Sequence, residues 1–197
     1  MGTMDQSVAR PDAAAESLGL IDVVHNNQQQ ETVMPALIAL AVSVGVLAVA
    51  ATWIFFLGAV AAAHLQVWQA FIAWGCHYHS GGKLMGTRNT IVCMSFGAIV
   101  GMAAVLLSTQ LTFASLGQLA APISVGIGAA VICLASAIPI LSTIPASVYG
   151  FASIAGLILL DKSMTPTAAI VPTILSIIIG ALFGIVSEAL MNALKKK

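Results

Sequence analysis

The sequence predicts an all-α integral membrane protein of about six transmembrane helices, and three observations carry that reading. Of 197 residues, 59% are hydrophobic and 7% charged, with a mean hydropathy of +1.02, whereas a soluble domain carries roughly 25% charged residues. A soluble fold this small leaves much of its surface facing water and has no use for so much apolar area. Apolar runs near the roughly 20 residues that a bilayer needs recur between short polar links, and Lys83 and Arg88 are the only charges between Thr32 and Leu160. The formal net charge is zero and no basic stripe is interleaved with aromatics, so nothing supports nucleic-acid binding.

Residues 1–33 are expected to be a disordered polar and acidic tail, and residues 34–197 the six-helix transmembrane domain. The tail holds Asp5, Asp12, Glu16, Asp22 and Glu31 and ends in a polar run, a composition that buries too little apolar surface to offset chain entropy. Its acidic start does not resemble a signal peptide. The first span opens at Pro35, which suits a first helical turn, and runs to about Gly58. Trp53, Phe55 and Phe56 near its end read as an interfacial aromatic belt. The second, about Ala59 to Tyr78, is interrupted by His64, Gln66 and Gln69. Taken whole it is long enough to span; taken from Trp68 its 11 residues reach about 16 Å, so a broken or re-entrant helix is the alternative. Ser80-Gly81-Gly82 ends it.

The third span is expected from Asn89 to Ser108 and the fourth from Leu119 to Ala137. The prolines of Ile138-Pro139-Ile140-Leu141-Ser142-Thr143-Ile144-Pro145 then prevent a regular helix. A shorter fifth span runs from Pro145 to Leu160, Asp161-Lys162-Ser163 makes a turn, and the last span covers Thr167 to Leu194. With six crossings, Lys83, Arg88 and the terminal lysines share one side. The positive-inside rule then places both termini in the cytoplasm of a cell or bacterial inner membrane. Gly97-Ala98-Ile99-Val100-Gly101 and Gly180-Ala181-Leu182-Phe183-Gly184, preceded by Trp74-Gly75 and Tyr149-Gly150, suggest two inverted three-helix repeats with short or broken second and fifth helices. Close packing through these small residues is expected in either case.

Polar residues at helix ends and breaks are the candidates for chemistry, because in a bilayer they must be buried, paired or wet. Trp74, His77 and His79 in one half, with Ser142, Thr143, Ser147 and Tyr149 in the other, are candidate lining of a polar passage. Hydroxyls and imidazoles there could exchange hydrogen bonds with an uncharged solute. Glu188, the only acid inside a span, reads either as an interfacial residue or as a proton or cation relay. Cys76 and His79 share a helix face and Met85, Cys93 and Met94 are soft donors, but no metal-site spacing accompanies them. Cys76, Cys93 and Cys133 read as free packing thiols. No nucleophile–base–acid set and no phosphate loop is evident, and the only other acid downstream of the tail, Asp161, is expected on the side opposite His77 and His79. The chain is therefore expected not to be an enzyme and to need no cofactor.

Phe71-x-Ala73-Trp74-Gly75-Cys76-x-Tyr78 followed by Gly81-Gly82, then Ile144-Pro145-Ala146-Ser147-x-Tyr149-Gly150 and Gly180 to Gly184, resembles the small bacterial inner-membrane proteins typified by YcdZ, a domain-of-unknown-function family. The resemblance covers Pro35 to Met191 and implies a compact multi-span protein of unassigned activity. The functional expectation is a channel or transporter for a small polar solute, with a non-transporting membrane partner or assembly protein as the alternative. Its expected partners are the lipid bilayer, that small-molecule solute and copies of itself, as a homo-oligomer.

Overall fold

The computed structural model describes residues 35–109 and 113–195, and the tail expected over residues 1–33 lies outside them. Among the described residues every regular element is a helix. They are α1 (Pro35–Phe55), α2 (Gly58–Ala62), α3 (Val67–His79), α4 (Lys83–Thr109), a 3-10 turn (Ala114–Leu119), α5 (Ala120–Ala135), a second 3-10 turn (Pro139–Leu141), α6 (Ile144–Leu160) and α7 (Pro166–Lys195).

Four helical stretches are long and apolar enough to cross a membrane: Pro35–Phe55, Lys83–Thr109, Ala114–Ala135 and Pro166–Lys195. Against the six or so spans expected from the sequence, with the second and fifth short or broken, four helices have the length to cross and the helices at the second and fifth places, α3 and α6, are short. The second segment is not one helix. Left-handed His64 (φ 55°) separates α2 from α3, whose 13 residues reach about 20 Å, well short of a hydrocarbon core of about 30 Å. The 17 residues of α6 reach about 26 Å. Gly81 (φ 96°) and Gly82 (φ 67°) close α3, with the Gly82 N–H donating to the His77 carbonyl at 2.9 Å. Because that turn is so tight, α4 starts at Lys83, six residues ahead of the expected Asn89. Of the expected aromatic belt, Trp53 and Phe56 are exposed, but Phe55 is buried.

Packing follows the rule for lipid, where small residues face inward and large apolar ones outward. The buried positions of α4 and α7 are mostly Gly, Ala, Ser and Thr, while Leu84, Ile99, Leu175 and Leu182 are exposed. Two helix pairs are in backbone contact. A Cβ on Gly97 of α4 would run into the backbone of Ser147 on α6, and one on Gly150 of α6 into the backbone of Met94 on α4. A Cβ on Gly180 of α7 would meet the backbone of Ala70 on α3, and one on Gly184 would lie 2.5 Å from Cγ of His77. Contacts ascend together along each pair, so α3 runs parallel to α7 and α4 parallel to α6. α5 lies against α4 through a stripe every fourth residue, Ala120, Ser124, Gly128 and Ile132.

At one end of the bundle His64 Nδ1 lies 3.4 Å from Asp161 Oδ2, tying the approach to α3 to the end of α6. The Asp161 carboxyl is held below its ordinary 3.8, first because the Ser163 hydroxyl and N–H donate to Oδ1, and less because His64 is near. A carboxyl lowered by folding stabilises the fold above its unfolded pKa, and that contribution fades as pH falls through the lowered value. Ser163→Ala should therefore lower the melting temperature slightly near neutral pH and leave it unchanged well below pH 3.8, a comparison that scanning calorimetry in detergent makes directly.

Candidate functional site

The largest polar side chains buried in this apolar bundle, Gln69 and His77, lie on one seam between α3 and α7, with Thr173, Ser176 and Ser187 of α7, while buried hydroxyls also occur on the other helices at Ser43, Thr90, Ser124, Ser147 and Ser153. At the seam's first level the Gln66 N–H donates to Ser176 Oγ at 3.0 Å. One turn on, fully buried Gln69 donates through Nε2 to the Ser153 carbonyl of α6 at 2.9 Å and to Thr173 Oγ1 of α7 at 3.2 Å. Among the described residues its Oε1 and Ser153 Oγ have no hydrogen-bond partner, while the Thr90 hydroxyl has the Cys76 thiol beside it. A buried polar group left unpaired costs about 1–3 kcal/mol, so the two unpaired atoms, both at the Gln69 level, stand out.

Further along, Trp74 Nε1 donates to Ser187 Oγ at 2.8 Å, and the Tyr78 hydroxyl lies 2.7 Å from the same oxygen. Ser187 donates in turn to the Gly184 carbonyl at 2.8 Å. One donor and two acceptor sites exhaust what a serine hydroxyl offers. The Trp74 ring is stacked between Phe71 (centroids 5.9 Å apart) and Phe183 (5.5 Å), which fixes its plane.

The seam ends on His77 and Glu188. His77 is wholly buried, with its ring on Gly184 and its backbone carbonyl against Gly86, where no Cβ would fit. Its Nε2 lies 3.2 Å from Glu188 Oε2 and its Nδ1 3.1 Å from Thr87 Oγ1. Glu188 Oε2 also accepts the Lys83 N–H at 2.6 Å, and the Thr87 hydroxyl has a second acceptor in the Lys83 carbonyl at 3.1 Å. Glu188 keeps 17% side-chain exposure. An acid does therefore approach a histidine here. Distance along the chain hides it, since 111 residues separate them.

Of the residues that the sequence singles out, Trp74, His77 and Glu188 are brought together on the seam. His79 is exposed and stacks edge-on against Tyr149, with Nδ1 3.5 Å from the Tyr149 hydroxyl. Ser147 is buried, its backbone under Gly97 of α4. Ser142 and Thr143 lead into α6, their carbonyls accepting the N–H groups of Ile144 and Ser147. No hydrogen bond among the described residues joins Ser142 or Thr143 to the seam. Gln69, Thr87, Thr173, Ser176 and Ser187 belong to it and escape a reading of motifs, because single polar residues in long apolar runs carry no local signal.

Cys76 and Cys93 are buried free thiols, whereas Cys133 is a free thiol on the outer face of α5. Among the described residues no three His, Cys, Asp or Glu side chains converge as a metal site would require. No curated protein and no solved structure matches this chain. Residues 41–192, which include every seam residue, match the family described as "Protein of unknown function (DUF1097)", and the chain belongs to that family.

Proposed function

We propose that this membrane protein moves a small, uncharged polar solute along the α3–α7 seam, as a channel or transporter rather than an enzyme. The observation that carries the reading is that the bundle has two equivalent seams and that the buried amide, the imidazole and the carboxylate (Gln69, His77, Glu188) lie on only one of them, the other holding, among the described residues, no buried polar group beyond the hydroxyls of Thr90, Ser147 and Ser153. Gly97 and Gly101 of α4 receive Ser147 and Ile154 of α6; Gly180 and Gly184 of α7 receive Ala70 and His77 of α3. Both spacings are four residues on the long helix and seven on the short one. Adding 83 to the number of each buried α4 residue lands on a buried α7 residue in eight of nine cases, Thr87 being the exception. Adding 77 carries five of the six buried α3 residues onto buried α6 residues, Trp74 being the exception.

This register supports two inverted three-helix repeats, α1–α4 and α5–α7, and with them six membrane passes in which the short helices α3 and α6 lie inside the bundle. Ser43-Val44-Gly45 and Ser124-Val125-Gly126 extend the likeness to α1 and α5. It places Ala73, not Gly75, opposite Gly150. Lys83, the Glu188 end of α7 and Lys195 fall at one end, which supports cytoplasmic termini by the positive-inside rule.

Under this register Gln69 stands where the other half has Ala146, His77 where it has Ile154, and Glu188 where it has Val105. At these three positions apolar residues do the corresponding packing on the second seam, although Ser147 and Ser153 there stand where the first seam has Ala70 and Cys76. The unpaired Gln69 Oε1 and Ser153 Oγ offer hydrogen bonds to a solute with both donors and acceptors. No charged side chain stands beside Gln69, which favours a neutral solute. Thr87, His77 and Glu188 follow the hydroxyl–imidazole–carboxylate order of nucleophilic catalysis, but Thr87 is only 6% exposed and its hydroxyl faces the Lys83 carbonyl. The kinship with YcdZ-type proteins rests on motifs that lie wholly inside the family match. A homo-oligomer would form through α1 and α5, whose Gly45 and Gly126 meet nothing within 4 Å.

Sealed proteoliposomes test the reading with urea, formamide, acetamide and glycerol, alongside small ions as controls. At least one neutral solute should enter faster than into empty liposomes, and Gln69→Leu should reduce that entry about tenfold with only a small change in stability, because it removes an unpaired buried carbonyl along with the two hydrogen bonds that Nε2 donates to the Ser153 carbonyl and Thr173 Oγ1. Entry no faster than into empty liposomes across the panel would favour a non-transporting membrane partner.

A further inference from the structure

We infer that His77, Thr87 and Glu188 form a proton-binding site, with the proton taken up at Nδ1 of His77. The inference deepens the transport reading by adding a coupling ion, yet it stands on its own geometry. Both ring nitrogens of His77 are engaged by oxygens that can serve two protonation states. With one ring proton, on Nε2, the imidazole donates to the Glu188 carboxylate and Nδ1 accepts from the Thr87 hydroxyl. With a second proton on Nδ1, that nitrogen must donate. Thr87 then turns its own hydrogen to the Lys83 carbonyl, already 3.1 Å away, and accepts from Nδ1 through its oxygen. The proton balance is simple: an O–H bond of hydronium breaks as the Nδ1–H bond forms, the proton returns to water on release, and no heavy-atom bond changes.

The surroundings suit that cycle. Glu188 supplies one negative charge against an imidazolium that would otherwise sit unpaired in an apolar bundle, where an isolated charge is costly. Its partial exposure gives protons access, while His77 behind it has none. Of the other titratable or charged groups near the ring, Tyr78 of α3 meets it edge-on with centroids 5.1 Å apart. From α4, Lys83 presents its backbone, and its side chain, like that of Arg88, is exposed; from α7 only Glu188 reaches the ring. On the second seam Ile154 lies against Gly101, and the register's counterparts of His77, Glu188 and Thr87 are the apolar Ile154, Val105 and Ile170, so packing does not call for any member of the trio.

The test uses the full chain with 15N-labelled histidine in lipid nanodiscs, where imidazole nitrogen resonances count the protons on each ring and His77→Gln assigns the signal. Acidifying the nanodiscs stepwise should convert His77 reversibly from one N–H to two. At the acid end, Glu188→Gln should reduce the doubly protonated population at least several-fold. Thr87→Val should reduce it too, and Thr87→Ser should restore it. A ring holding one N–H throughout, or one whose protonation ignores Glu188→Gln in a variant that remains folded by circular dichroism, would overturn the inference. Because no solute is present, failure here leaves the flux test untouched, and absence of flux leaves this result standing.

Discussion

Gly150→Ala should be among the most damaging single substitutions in the chain, costing about 3 kcal/mol, the upper end of what overpacking usually costs. A Cβ there would strike the Met94 backbone, and the reciprocal Gly97→Ala would strike that of Ser147. Neither clash can be relieved by turning a side chain, because both partners are backbone. α4 and α6 must separate, and every contact between them weakens at once. Gly75→Ala is the control. It sits after Trp74 as Gly150 sits after Tyr149, but a Cβ there meets nothing within 4 Å, so alanine should be neutral or stabilise helix α3 by up to about 1 kcal/mol. Thermal unfolding in detergent, followed by circular dichroism, should separate the two by many degrees. Equal melting temperatures would mean that the backbones do not touch at Gly150.

The second large effect concerns Glu188. Glu188→Val alone should cost about 2 kcal/mol, less than the roughly 3–5 kcal/mol for breaking a fully buried pair, because Glu188 is partly exposed. It strands His77 Nε2 and the Lys83 N–H without their acceptor. Changing Gln69 and His77 as well, to give Gln69→Ala/His77→Ile/Glu188→Val, copies the second seam and removes most of the stranded groups. Replacing buried polar networks by well-packed apolar residues is often neutral or stabilising, so the triple variant should melt close to wild type although one of its components alone melts lower. That reversal is a non-additivity expected only of residues acting as one unit.

How much of this is legible in the sequence differs by level. The membrane class follows from composition, and the breaks at His64–Gln66 and Pro139–Pro145 mark the two short helices. Gly97/Gly101 and Gly180/Gly184 are visible as a pair. Extended backwards they read Thr90-x-x-Cys93-Met94 and Thr173-x-x-Ser176-Ile177, which carry the same register without coordinates. What stays hidden is the pairing across the chain. Trp74 finds Ser187 and His77 finds Glu188 over more than a hundred residues, because α3 lies parallel to the last helix rather than to its neighbours in sequence. Matching Gly75 to Gly150 follows from lining up aromatic–glycine pairs. The proposed register instead pairs Ala73 with Gly150, since helix packing depends on which face meets the neighbour, not on which residue types look alike.

The most direct test is solute entry into proteoliposomes containing either wild type or the folded triple variant Gln69→Ala/His77→Ile/Glu188→Val, using the neutral solute that wild type admits fastest. If the polar seam exists for passage and not for folding, the variant should assemble and melt near wild type while its flux falls to the level of empty liposomes. Equal flux through the two proteins would contradict that claim.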